Sequence, residues 1–316
     1  MNKPLVIIAG PTATGKTKVS IELAKRINGA VISADSMQVY KGMDIGSAKS
    51  MPEEMCGIDH YLIDALNPSE EFNVKVFKDM ADDALDKIYD KNQIPMVVGG
   101  TGFYIQALLY GVEFPEEGSN SDYRNELTRI YEDNNAEYLH NMLKEVDPEA
   151  ANEINPNNVK RVIRALEFYH DNNAKISEHN KKMREREAVF NSAFFVLTDD
   201  RAKLYERIDL RVDKMIKDGL VDEVKALKDQ GYVRHDVAMQ GLGYKEILDY
   251  LDGLCTLDEA VYIIKRDTRH FAKRQITWFK REKNVIWIDR SKFCGDVNAI
   301  VDYMVNVLKE KDILRS

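Results

Sequence analysis

Through the first hundred residues, short unbroken apolar runs alternate with longer segments whose apolar positions recur at helical spacing. The runs Leu5–Ala9, Ala30–Ser33, His60–Ile63 and Ile94–Val98 read as strands, and their near-continuous apolar character is that of a sheet covered on both faces. Between them, Lys18–Ile27 carries Val19, Leu23 and Ile27 with Ile21 and Ala24 on one helical stripe, Phe72–Tyr89 is amphipathic, and Phe103–Leu109 starts another helix. Ala193–Leu197 and Val285–Ile288 return to strand character, Leu204–Leu227 reads as one long helix, and Val297–Lys309 as a closing helix. Alternating strands and helices predict a parallel α/β sheet flanked by helices. From about Glu113 the texture changes. Pro115, Gly118 and Ser119–Ser121 mark a hinge or boundary, and Asp122–Phe190 is charged and helix-favouring, with Asp147-Pro148 and Asn155-Pro156 as helix punctuation. The expected organisation is a core of 1–112 and 191–316 carrying an inserted all-helical domain at 113–190.

Polar and glycine-rich sites follow three of the predicted strands. After the first, Gly10-Pro11-Thr12-Ala13-Thr14-Gly15-Lys16-Thr17 fits the phosphate-binding loop pattern, between the strand and helix that the motif requires. Glycines let backbone N–H groups turn inward around an anion, and the helix N-terminus adds its positive end. Lys16 brings a full charge, and the Thr17 hydroxyl can hold a phosphate or Mg²⁺. This makes the sheet P-loop NTPase-like. The loop alone leaves open whether a bound diphosphate is a phosphoryl donor or a leaving group. Asp35-Ser36 follows the second strand, where the carboxylate could ligate Mg²⁺, accept a proton or cap the next turn. Gly99–Gly102 follows the fourth. Ligands of open parallel sheets sit beyond the carboxyl ends of strands, so the three sites should converge. Arg207 and Arg211, a helical turn apart, could clamp a diphosphate or pair with carboxylates such as Asp209 and Asp213.

Composition is that of a globular protein, 44% apolar and 31% charged over 316 residues. No apolar run is long enough to span a bilayer, and the N-terminal run leads into the glycine loop rather than a cleavage site. Cys56, Cys255 and Cys294 have no paired spacing, which points to a reducing cytoplasm, and the histidines have no metal-ligand spacing. The net charge of −8 argues against nucleic acid, but basic stretches at Lys160–Arg164, Lys181–Arg186 and Lys265–Lys283 make local fields that a polyanion would feel. The last interleaves basic residues with His270, Phe271, Trp278 and Phe279. Phe271 and Trp278 are expected to be core residues, and the charges to face RNA. No exposed apolar seam marks an obligate dimer, so a monomer is expected.

Taken in order, Gly10–Thr17, Ile32–Lys49, His60–Asp64, Val98–Tyr104, Lys160–Glu167, Gly241–Glu246 and Ala272–Phe279 closely resemble the corresponding blocks of the tRNA dimethylallyltransferases, also called tRNA isopentenyltransferases. The glycine loop is shared with many kinases and NTPases; the Asp35–Lys49 and Lys273–Phe279 blocks are far more specific. The resemblance implies transfer of a dimethylallyl group from dimethylallyl diphosphate to the N6 amine of adenine 37 in tRNA, with diphosphate as the leaving group and Mg²⁺ as cofactor. It implies that Gly10–Thr17 cradle the diphosphate, that Lys16, Thr17 and Arg211 act on it, and that Asp35 takes the N6 proton. Asp35, Ser36, Met37, Gln38 and Thr101 would line the adenine pocket, while Arg124, Lys160, Arg161 and Arg164 would contact tRNA. Thr14 stands where Ser is more usual, and no C-terminal Cys/His zinc finger is present, as in bacterial members. No acidic residue follows the fourth strand as a second metal ligand. Rival readings are an adenylate isopentenyltransferase acting on free AMP or ADP, a P-loop small-molecule kinase, and a nucleotide-dependent binding module. The large insertion and the basic Lys265–Lys283 segment favour tRNA.

Overall fold

The apolar runs become parallel strands with both faces covered. In the computed structural model, which describes residues 2–114 and 121–314, the chain begins β1 (Pro4–Ala9), α1 (Lys16–Ile27), β2 (Gly29–Ala34), α2 (Pro52–Met55), β3 (His60–Tyr61), α3 (Val74–Asp90), β4 (Ile94–Gly99) and α4 (Gly102–Leu109). Five helices follow: α5 (Ser121–Asp133), α6 (Ala136–Val146), α7 (Pro148–Glu153), α8 (Val159–Asn172) and α9 (Ile176–Glu185). The chain then returns through β5 (Asn191–Thr198), α10 (Arg201–Asp218), α11 (Leu220–Asp229), α12 (Tyr244–Leu251), α13 (Leu257–Phe279), β6 (Val285–Asp289) and α14 (Val297–Glu310). The sheet order is β3-β2-β4-β1-β5-β6, and every pairing is parallel.

Alternation along β1 divides the core in two. Leu5 and Ile7 join Ile32, Val97 and Val196 against α3, α4 and α12, while Val6 and Ile8 join Phe195 and Leu197 against α1 and α14. At this burial each large side chain stabilises the fold by about 1.5–3 kcal/mol.

Two compact units result: residues 1–112 with 188–316, and residues 113–187. The second has its own core of Leu127, Leu139, Leu143, Val162 and Leu166. Within it the Asp147 carboxylate, 1% exposed, accepts from Ala150 N (3.1 Å), Ser177 N (2.9 Å) and Ser177 Oγ (2.6 Å). Asp147-Pro148 thus starts α7 and ties it to α9, as the punctuation suggested. Residues 115–120, within the boundary expected at 113–121, lie outside the described residues.

Two sequence expectations are corrected. The single helix at Leu204–Leu227 is two helices, α10 and α11, because Gly219 adopts φ +107° and ends α10 in a left-handed cap. The strand at His60–Ile63 stops at Tyr61, since Leu62 takes φ +62° and leaves the ladder.

Candidate active site

Strand register brings the three polar segments together. Ala9 and Ala34 both pair with Gly99, so Gly10, Asp35 and Gly100 emerge side by side from the carboxyl edge of three adjacent strands. The phosphate loop is braced from within: buried Thr14 donates its hydroxyl to Pro11 O at 2.8 Å, and Lys16 Nζ donates to Gly10 O and Pro11 O, each at 2.9 Å. Gly10 cannot be replaced, as a Cβ there would lie 2.4 Å from Leu197 O on β5.

Lys16, Arg211 and Asp35 form one electrostatic group. Burial, reinforced by the neighbouring Arg211 charge and opposed by Asp35, lowers the Lys16 ammonium from 10.5 to about 8. Arg211 is lowered as well, by burial, with Asp35 opposing. Two desolvated cations beside one carboxylate make a site short of negative charge, which an anion would supply. Asp35 Oδ1 accepts from Met37 N at 2.9 Å, so the turn-capping role is realised with one oxygen. Its Oδ2 makes no hydrogen bond among the described residues.

Arg207 parts company with Arg211. It pairs with Asp199 at 2.5 Å beyond β5, beside Arg290, whose Nη1 donates to Thr14 O at 2.8 Å. The carboxylates offered by sequence, Asp209 and Asp213, instead hold Arg269 and Lys265 of α13, each at 2.5 Å.

The segment after Asp35 is anchored by Glu223 and Lys49, which sequence reading gave no role, and by Gln38, which it placed in the site. Glu223 of α11 accepts from the backbone N–H groups of Asp44 (2.9 Å), Ile45 (2.7 Å) and Gly46 (3.0 Å), and from Tyr244 Oη (2.8 Å). Lys49, its side chain 2% exposed, donates to Tyr40 O (2.7 Å), Asp44 (2.6 Å) and Asp64 (2.5 Å). Gln38 bridges Ser33 Oγ (3.1 Å) and Ala48 O (3.4 Å). Nothing local in the sequence marks Glu223, a glutamate on an amphipathic helix.

Thr101 follows β4, its N–H bonded to Ala34 O at 3.2 Å, and α4 begins at the next residue. Helix α13 seats on this turn. A Cβ on Gly102 would lie 2.2 Å from the Trp278 indole, which meets Phe103 edge-on. Trp278 is thus a packing residue. Phe271 is not: it is 37% exposed, with the Arg274 guanidinium over its ring at 5.7 Å. His270, Lys273, Arg274, Thr277, Trp278 and Arg281 line an open cavity of about 400 Å³.

In the second unit Lys160, Arg161 and Arg164 stand exposed on α8, and Arg124 of α5 makes a bidentate pair with Glu167 at 2.7 and 2.8 Å.

A glycine-rich loop between β1 and α1, at the carboxyl edge of a parallel sheet flanked by helices, defines a P-loop-like α/β fold. Residues 38–282 match the family described as IPP transferase. A tRNA dimethylallyltransferase of Lachnoclostridium phytofermentans is 56% identical over 313 residues, 99% of this chain and all of that one. Among solved structures, the full-length tRNA isopentenylpyrophosphate transferase of Bacillus halodurans has a TM-score of 0.72 and 44% identity, covering 99% of this chain and 98% of the other. A eukaryotic dimethylallyltransferase crystallised in the course of acting on tRNA has a TM-score of 0.76 and 32% identity, covering 91% of this chain and 74% of its own. The chain belongs to the IPP transferase family.

Proposed function

We propose that this protein transfers the dimethylallyl group of dimethylallyl diphosphate to the N6 amine of adenine 37 in tRNA. The observation that carries this reading is the Lys16–Arg211–Asp35 group: two desolvated cations for a diphosphate, with a carboxylate beside them for an amine.

In the reaction the N6 lone pair forms a bond to C1 of the dimethylallyl group and the C1–O bond to diphosphate breaks. Charge grows on the departing oxygens, where Lys16, Arg211 and the loop N–H groups from Ala13 to Thr17 would stabilise it. Asp35 Oδ2 accepts the N6 proton, and the bond from Met37 N to Oδ1 holds the carboxylate in place while it does so. Adenine 37 leaves the anticodon-loop stack to enter a pocket lined by Asp35–Gln38 and Thr101. Lys160, Arg161 and Arg164, with the exposed face of α13, contact the RNA backbone, and Arg124 joins them from its pair with Glu167.

An Mg²⁺ ion would belong beside the phosphate loop, where Thr17 stands in the first turn of α1. Among the described residues no three His, Cys, Asp or Glu side chains gather as a metal site, and Mg²⁺ is ordinarily held by one or two protein oxygens together with phosphates and water. Thr17 would provide the protein oxygen, and the ion would neutralise diphosphate charge. No described helix is long and apolar enough to cross a membrane.

The deciding experiment is label transfer. Protein, Mg²⁺ and labelled dimethylallyl diphosphate are offered unmodified tRNA or AMP. Label in tRNA that vanishes when adenine 37 is replaced is the expected result. Label in AMP alone, or phosphoryl transfer from ATP, overturns the reading.

A further inference from the structure

Gln275 lies on α13, away from Gly10–Thr17 and from Asp35 in sequence, yet its side chain joins the two halves of the site. Its Nε2 donates to Gly100 O at 3.0 Å, and its Oε1 accepts from Thr12 N at 3.3 Å. The residue is 7% exposed, whereas its helix neighbours Lys273 and Arg274 are exposed. Its fit is close: a Cβ on Gly100 would lie 2.1 Å from Nε2. Only glycine at 100 admits this amide.

The chemistry of the bridge is directional. A carboxamide has a donor and an acceptor on one planar head, so it can satisfy a carbonyl and an N–H at once. The Thr12 N–H is therefore committed to Gln275 and is not available to a bound anion. Gly100, at the other end, immediately precedes Thr101 and starts the turn that follows β4. One side chain thus sets the spacing between the loop of Gly10–Thr17 and the segment that flanks Asp35.

We propose that Gln275 is a positioning residue that fixes the diphosphate cradle relative to the adenine pocket. This rests on the transfer reaction proposed above. Misplacing reacting atoms by about 1 Å can cost on the order of a hundredfold in rate, and the bridge spans the two parts that hold those atoms. Its loss should therefore appear first in kcat. A general loosening of the fold would instead weaken every ligand and lower the melting temperature together.

The test uses the full chain and three variants: Gln275→Met, which keeps volume and loses both hydrogen bonds; Gln275→Glu, which can accept from Thr12 but cannot donate to Gly100; and Gly100→Ala, which displaces an intact Gln275. Steady-state transfer to unmodified tRNA, calorimetric affinity for inorganic diphosphate, RNA affinity and thermal melting are read for each. Gln275→Met is expected to lower kcat by about 10- to 100-fold, to weaken diphosphate several-fold and to leave RNA affinity within about twofold. Gln275→Glu should lose at least as much, since it also sets a negative charge beside the cradle, and Gly100→Ala should follow Gln275→Met. A kcat within threefold of wild type for Gln275→Met overturns the proposal. So does recovery of kcat in Gln275→Glu, or a parallel loss of RNA affinity and melting temperature in all three. If the wild type binds diphosphate but transfers nothing to RNA, the proposed reaction fails, and the ratio of diphosphate affinities between wild type and Gln275→Met then decides the positioning role on its own.

Discussion

Raising the pH should weaken the diphosphate site through Lys16. Its ammonium ionises at about 8, lowered first by burial and then by Arg211, with Asp35 pulling the other way. The cation is complete below that value and lost as pH rises through it. With a value of about 8, roughly nine-tenths of Lys16 is charged at pH 7 and roughly one-tenth at pH 9. If the ammonium holds the departing diphosphate, kcat/KM for the donor at saturating tRNA should fall by about tenfold between pH 7 and pH 9. The surrounding charges make the attribution specific. In Asp35→Asn the carboxylate charge that raises Lys16 disappears, so the break moves to lower pH. In Arg211→Gln the repulsion disappears, so it moves higher. Lys16→Arg carries a guanidinium that does not titrate here and should show no break. Because Asp35→Asn is expected to be slow in transfer, calorimetric affinity for inorganic diphosphate serves as a second readout for all three. A wild-type profile flat to pH 9, or a break that survives in Lys16→Arg, would refute this reasoning.

Asp35→Asn should lower kcat by about 10²- to 10⁴-fold with donor KM within a few-fold; an effect confined to donor KM removes the proton-accepting role. Glu223→Ala leaves three loop N–H groups and the Tyr244 hydroxyl without their acceptor and should cost about 3 kcal/mol in urea unfolding, against about 1 kcal/mol for Tyr244→Phe; equal costs would mean the carboxylate does not anchor the loop. Neutralising Lys160 and Arg161 together should weaken tRNA binding and reduce its salt dependence by nearly two charges' worth of slope, roughly 0.7–0.9 per phosphate contact. An unchanged slope measured by filter binding places those side chains away from the RNA.

How much of this was legible in the sequence follows physical lines. Continuous apolar runs and the glycine loop depend on local pattern, so all six strands were readable, and the register that aligns Gly10, Asp35 and Gly100 follows from parallel pairing. Tertiary overrides were not readable. A single left-handed residue, Gly219, breaks an otherwise continuous helical stripe, and Leu62 ends a strand for the same reason. Phe271 sits at helical spacing with core residues but on the far edge of the stripe, where it is exposed. Glu223 and Gln275 act through partners distant in the chain, and neither residue type carries a local signal for such a role. Arg207 and Arg211 are indistinguishable by spacing, and only the neighbours each meets, Asp199 or Asp35, separate them.

The core segments that flank residues 113–187 in sequence meet each other. Val189 N donates to Leu109 O at 3.0 Å, and Val189 would touch a Cβ on Gly111 at 3.2 Å. The core closes on itself at this seam before β5 begins, and among the described residues the strands of the sheet all lie outside 113–187. A chimaera carrying the 113–187 segment of a relative should keep the donor chemistry of its host and take its RNA preference from the graft.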